Sequence, residues 1–212
     1  TGIYNGFIPA EKRELTPMWD YFWNVAYYVY FKWAKFLQEF PWLDNYIATT
    51  VTSHGNYSWS WYIPIEKDIV SVGFVFNTKY NPTFTSQDKE ELLLSTIKQN
   101  TQIREALEGA EIIRHNGLPR LNVVRNWNGY SKNLTWDNWF LAGDAAFFSD
   151  PILSTGVTMS HRTGYYLWVI LKEMLVRNNE SWSQLLMHGY KESCKDFYTQ
   201  VRGIIRFWYE WM

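Results

Sequence analysis

The chain has 212 residues, 20 Lys and Arg against 21 Asp and Glu, a net charge of -1, 47% hydrophobic residues and one Cys. Length and composition allow one large domain or two small ones, each with a buried core. A near-neutral balance without a Lys/Arg block argues against a nucleic-acid binder, which must neutralise phosphates. A single Cys excludes an internal disulfide framework or a Cys-rich zinc site and fits a reducing, cytoplasmic setting.

The elements alternate in blocks. Residues 24–33, 47–54, 57–66 and 68–77 are β-branched and aromatic runs of strand length, joined by short polar connections, and predict an antiparallel meander. Over 86–107 the apolar spacing turns helical, with Asp88, Glu90 and Glu91 in the first turn and a break at Asn100 and Thr101. Strand character returns at 111–115, 121–130 and 138–142. Helix is predicted from Gly156 to about Val176, and again from about Trp182 to the end. In that last helix Tyr190, Cys194, Phe197, Val201, Ile204 and Trp208 fall on one core-packing stripe. No repeat or low-complexity linker interrupts the chain, so one continuous unit is expected: a substrate-side region over 1–176 and a helical region over 177–212.

The 13 Trp, 15 Tyr and 13 Phe exceed what a core requires and suggest a flat ligand. The densest aromatic run, 21–33, is broken by Asn24 and Lys32 and falls short of the ~18 apolar residues of a membrane span, so none is expected. The chain opens at Thr1 without a signal-peptide pattern and stops inside a helical pattern, as an internal piece of a longer protein would. His54, His115, His161 and His188 lack metal-ligand spacing, and no metal is expected.

Two segments carry chemistry. In the first, a short apolar strand enters Gly143-Asp144, where glycine allows close backbone approach to a ligand and the carboxylate can accept hydrogen bonds from hydroxyls. Pro151 to Gly156 then opens onto the long helix, whose N-terminal N–H groups can hold an anion; alternatively, Ser154 and Thr155 cap that helix. In the second, period two puts Trp59, Trp61 and Ile63 on one strand face, followed by Pro64. The paired indoles either wall a cavity or serve as core aromatics.

Trp59-Ser60-Trp61-Tyr62-Ile63-Pro64 resembles the WxWxIP motif of flavin-dependent halogenases, and Phe148 to Gly156 resembles their FxxPxxSxG motif. The resemblance implies an α+β fold, with an antiparallel sheet over the flavin face and C-terminal helices, as part of an FAD-dependent monooxygenase-type fold. It implies FAD, reduced by a separate flavin reductase, with chloride or bromide as second reactant. In the family, halide attacks a flavin hydroperoxide, and hypohalous acid travels through a tunnel to the substrate. Gly143, Asp144, Pro151 and Gly156 would then contact the cofactor. Ser154, Thr155 and Gly156 would cradle halide. Trp59, Trp61, Ile63 and Pro64 would form the barrier that keeps substrate off the flavin.

Departures from the family pattern narrow the expectation. Tryptophan halogenases carry a Glu where this chain has Asp150, and Pro151-Ile152-Leu153 is closer to the phenol- and pyrrole-acting branch. An electron-rich aromatic needs less help from a positioned base. The expected substrate is therefore a phenol- or pyrrole-like aromatic, free or presented by a carrier protein, with Asp150 either an assisting catalytic carboxylate or a loop residue. No GxGxxG occurs, so the dinucleotide-binding unit and the family's catalytic lysine lie outside these residues, and the isolated piece is expected to be inactive. A flavin monooxygenase or reductase of the same fold would need neither the tryptophan pair nor the halide cradle. A non-catalytic module would use the aromatic surface to bind a partner.

Overall fold

The computed structural model describes residues 15–16, 23–35, 39–40, 46–47, 49–125, 127–136 and 139–211. Its strands are β1 (Leu15–Thr16), β2 (Asn24–Lys32), β3 (Glu39–Phe40), β4 (Tyr46–Ile47), β5 (Thr50–Gly55), β6 (Ser58–Glu66), β7 (Ile69–Asn77), β8 (Glu111–Ile113), β9 (Asn122–Arg125), β10 (Gly129–Ser131), β11 (Thr135–Trp136), β12 (Trp139–Phe140) and β13 (Phe147–Phe148). Its α-helices are α1 (Lys89–Ile97), α2 (Thr101–Ala106), α3 (Gly156–Arg177) and α4 (Glu180–Trp211). The fold is mixed α and β with antiparallel sheets, as expected. The chain forms two compact units, Tyr21–Asn126 and Thr1–Asp20 with Trp127–Trp211, where one continuous unit was expected. The boundary expected after residue 176 falls at the α3–α4 turn, and these helices pack on each other inside one unit.

The Tyr21–Asn126 unit is built on a six-stranded sheet in the order β5-β6-β7-β2-β8, with β9 also paired to β2. Strands β5, β6 and β7 form the expected meander. The turn between β5 and β6 has Asn56 and Tyr57 both at positive φ, which matches the right-handed twist of a hairpin. Strand β2 departs from the meander, since it pairs with β7 over nine residue pairs and lies on the far side from β5. The stretch between Lys32 and Thr50 is much longer than a hairpin loop, so the next strand in sequence need not be the neighbour in space. Side chains alternate across the sheet. One face presents Tyr27, Val29, Phe31, Tyr62, Val72, Phe74 and Phe76 to Leu92, Leu93, Ile97 and Ile103 of the two short helices. The break expected at Asn100 is real: Asn100 accepts the Ile103 N–H at 3.2 Å and starts α2, as Asp88 accepts the Glu91 N–H at 2.9 Å and starts α1.

In the second unit β10 lies between β1 and β13, β11 and β12 form a hairpin, and α3 and α4 follow. The single strand expected over 121–130 is thus two, β9 in one unit and β10 in the other. The apolar stripe of α4 is Tyr190, Cys194, Tyr198, Val201, Ile205 and Tyr209. It shares three positions with the expected stripe and shifts by one residue at the others, leaving Ile204 57% exposed. No described helix is long and apolar enough to cross a membrane.

Candidate functional site

Strand β12 runs into a 3-10 turn, Gly143–Ala145, that rests on the start of α3. Gly143 sits at φ +57°, in the left-handed region that favours glycine. Its N–H donates to Thr163 Oγ1 at 2.8 Å, and that hydroxyl donates to the Met159 carbonyl at 2.8 Å. A β-carbon at position 143 would lie 2.8 Å from Ser160 Oγ, so only glycine permits this approach. Asp144 follows at an exposed position, and partial desolvation of its carboxyl group raises its pKa above the ordinary value.

Beyond β13, Asp150 starts a second 3-10 turn, Pro151–Leu153. The sequence leaves this carboxylate a choice between assisting the substrate and holding the loop, and its contacts in the structure are those of a loop anchor. Asp150 is 1% exposed. Its Oδ1 accepts the Ile152 N–H at 3.0 Å, its Oδ2 accepts the Trp127 indole N–H at 3.3 Å, and the Tyr209 hydroxyl donates to the carboxylate at 3.3 Å. A buried carboxylate that accepts from three donors ties the loop to α4 through Tyr209 and to the segment just before β10 through Trp127.

Pro151 is exposed at the head of this turn. Ser154 is left-handed at φ 51°, which turns the chain into α3 while its N–H donates to the Pro151 carbonyl at 2.9 Å. Thr155 occupies the N-cap position, but its side chain makes no capping bond, and the first helical bond runs from the Met159 N–H to the Thr155 carbonyl at 2.9 Å. Capping therefore does not account for the side chain of Thr155. The first N–H groups of this 22-residue helix have no intrahelical acceptor and point outward with the positive end of the helix dipole. The buried hydroxyls of Ser149 and Thr155 have no hydrogen-bond partner among the described residues. Gly156 packs against a ring: a β-carbon there would lie 3.2 Å from Phe148 Cε2. Orphaned donors and a helix N-terminus together form a site suited to an anion.

In the Tyr21–Asn126 unit, Trp59, Trp61 and Ile63 project from β6 on the sheet face opposite α1 and α2, as period two requires. Trp59 is buried and Trp61 half-buried, with ring centroids 5.7 Å apart and planes inclined by 48°. Pro64 lies at an irregularity of the β6–β7 register, beyond the last β5 partner, where its missing N–H costs no ladder bond. These tryptophans are not part of the helix-side core.

The family model for tryptophan halogenase matches residues 40–212, and so takes in the tryptophan strand, both turns and both long helices. The chain belongs to the flavin-dependent halogenase family. A 1H-pyrrole-2-carbonyl peptidyl-carrier-protein chlorinase of Pseudomonas fluorescens is 28% identical over 155 residues, which is 73% of this chain and 31% of that protein. A tryptophan 2-halogenase of Chondromyces crocatus is 29% identical over 141 residues, 66% of this chain and 25% of that one. Among solved structures, a myxobacterial chondrochloren halogenase has a TM-score of 0.75 at 22% identity, covering 91% of this chain and 42% of its own. A flavin-dependent brominase has a TM-score of 0.73 at 18% identity, over 93% of this chain and 46% of its own. The chain thus spans a quarter to a third of these curated halogenases and under half of the solved ones.

Sequence reasoning found the halogenase motifs but missed the residues that hold them. Thr163 and Ser160 shape the Gly143 turn, and Trp127 and Tyr209 occupy Asp150. Gly73 and Ser71 lie under Trp61. A glycine in the middle of an otherwise largely apolar strand signals close approach by a neighbour, and Gly73 was the one legible pointer among these.

Proposed function

We propose that this chain is the halide- and substrate-side part of an FAD-dependent halogenase that acts on electron-rich aromatic rings. The observation that carries the reading is the start of α3, where a left-handed Ser154, the unpartnered Thr155 hydroxyl and the free N–H groups of the first turn converge with no side-chain cap. These donors fit a halide and the electron-rich edge of an isoalloxazine ring; nothing in the 212 residues fits the dinucleotide half of FAD, which needs a glycine-rich strand-turn-helix. FAD, when bound, supplies the activation of oxygen that oxidises halide.

The residues of the chain have three tasks. Thr155 and the backbone N–H of Gly156 bind halide, and the glycine keeps the approach open. Gly143, Asp144 and Pro151 shape and contact the cofactor side, Asp144 accepting hydrogen bonds from hydroxyls. Trp59, Trp61, Ile63 and Pro64 form the wall that keeps the aromatic substrate from direct oxygenation. Asp150 is occupied by Trp127, Ile152 and Tyr209, so no carboxylate at this loop position is offered to the substrate. That supports a phenol- or pyrrole-like ring, activated by its own electrons, over an indole that needs assistance. The ring is free or borne by a carrier protein, and a separate flavin reductase supplies reduced FAD.

The test uses protein expressed from the whole natural gene, supplied with a flavin reductase, FAD, chloride or bromide, and a panel of phenols and pyrroles. Halogenated products should form, and replacing Ser154 with Ala together with Thr155→Pro should abolish halide incorporation while flavin binding persists. Product formation with unchanged halide dependence in that variant removes the cradle assignment.

A further inference from the structure

The indole of Trp61 lies across β7. In register, Trp61 of β6 faces Gly73 of β7, and Gly73 faces Tyr28 of β2, so the three form one row on the sheet face away from α1 and α2. The row closes because its middle member has no side chain: a β-carbon at Gly73 would lie 2.2 Å from Trp61 Cζ2 and 2.4 Å from Cη2, far closer than van der Waals contact with the ring allows. On the same strand Ser71 Oγ accepts the Trp61 indole N–H at 3.1 Å. Tyr28 and Trp59 flank the indole, with centroids at 5.8 and 5.7 Å. The indole thus has a floor, two sides and a polar latch.

We propose that Gly73 and Ser71 are positioning residues for the reaction, fixing Trp61 in the pose that closes the barrier between cofactor and substrate. This rests on the barrier role given to Trp61 above. Gly73 permits the flat pose by offering no obstacle, and Ser71 selects it among the indole's rotamers by accepting its only polar hydrogen. Neither side chain needs to touch substrate for this, since both act through the ring.

The experiment measures the ratio of halogenated to hydroxylated product in the full-length enzyme, together with far-ultraviolet circular dichroism, where two indoles at this spacing and inclination give an exciton couplet. Trp61→Ala sets the scale, since it should lower the ratio and remove the couplet. Gly73→Ala should reproduce both effects. Ser71→Ala should weaken the couplet and lower the ratio by about fivefold, the population change of one net hydrogen bond. Ser71→Thr, which keeps the hydroxyl, should restore both. If Gly73→Ala does not fold, the Ser71 pair decides the matter. A Trp61→Ala enzyme with altered products, beside Gly73→Ala and Ser71→Ala enzymes that behave as wild type, overturns the positioning role alone. A Trp61→Ala enzyme with unaltered products overturns the barrier and this inference with it.

Discussion

Thr163 accepts the Gly143 N–H at 2.8 Å on the same oxygen that donates to the Met159 carbonyl, so one buried hydroxyl ties the Gly143 turn to the first turns of α3. Replacing it with the near-isosteric Val leaves the Gly143 N–H buried and unsatisfied, at a cost of about 1–3 kcal/mol. Gly143→Ala should cost at least as much, because it adds positive-φ strain to a contact at 2.8 Å from Ser160 Oγ. Urea unfolding of both variants checks this, and wild-type midpoints would remove the assigned tie.

The stripe on α4 separates neighbours. Ile205 is 0% exposed and Ile204 57%. Ile205→Ala should destabilise by about 2–5 kcal/mol, as large-to-small core changes do. Ile204→Ala should stay within about 0.5 kcal/mol of wild type. The reverse order in thermal unfolding would place the helix in the register that periodicity alone suggests.

Asp150→Asn distinguishes an anchor from a catalyst. The amide keeps the shape but trades a charged acceptor of three donors for a neutral one, and hydrogen bonds to charged groups are worth about 1.5–3 kcal/mol each. The variant should melt at lower temperature, and its activity below that melting point should show the wild-type pH profile. Unchanged melting with a lost limb of the pH profile would make Asp150 an acid or base toward substrate.

His54 predicts a pH dependence of stability. Its ring lies beside Ser60 Oγ at 2.9 Å and edge-on to Phe74, and burial lowers its pKa from the ordinary 6.5. The unfolded chain then binds the proton more readily than the folded one, so stability is full above 6.5 and falls as the pH drops toward the lowered folded value. In urea titrations at several pH values, His54→Gln should flatten this part of the slope. An identical slope in wild type and variant would assign the dependence to other groups.

The sheet strands were legible where β-branched and aromatic residues run to strand length between clear polar ends, as at β6 and β7, and Asn100 marked the α1–α2 break through its own capping chemistry. What the sequence concealed was set by distant partners. On α4 the apolar residues come in adjacent pairs, Phe197-Tyr198 and Trp208-Tyr209, and period alone cannot choose within a pair. The tyrosine wins at 209 because its hydroxyl reaches Asp150, 59 residues away in sequence. The same bond supplies one of the three donors around Asp150, a contact that the sequence does not reveal. Strand β2 joined β7 and not β5 because its long connection freed it from its sequence neighbour. The motifs identified the candidate halide loop and tryptophan wall, but their supports on β7 and α3 come from pairing register and helix contact, which local patterns do not encode.

The most direct measurement follows halide into product. The whole natural protein, with reduced FAD and a phenol or pyrrole, is given bromide, and products are weighed by mass spectrometry. Ring-brominated product should form, depend on bromide and disappear when the Ser154 and Thr155 cradle is replaced, while flavin remains bound. Hydroxylated product alone, formed at the same rate with or without halide, would contradict it.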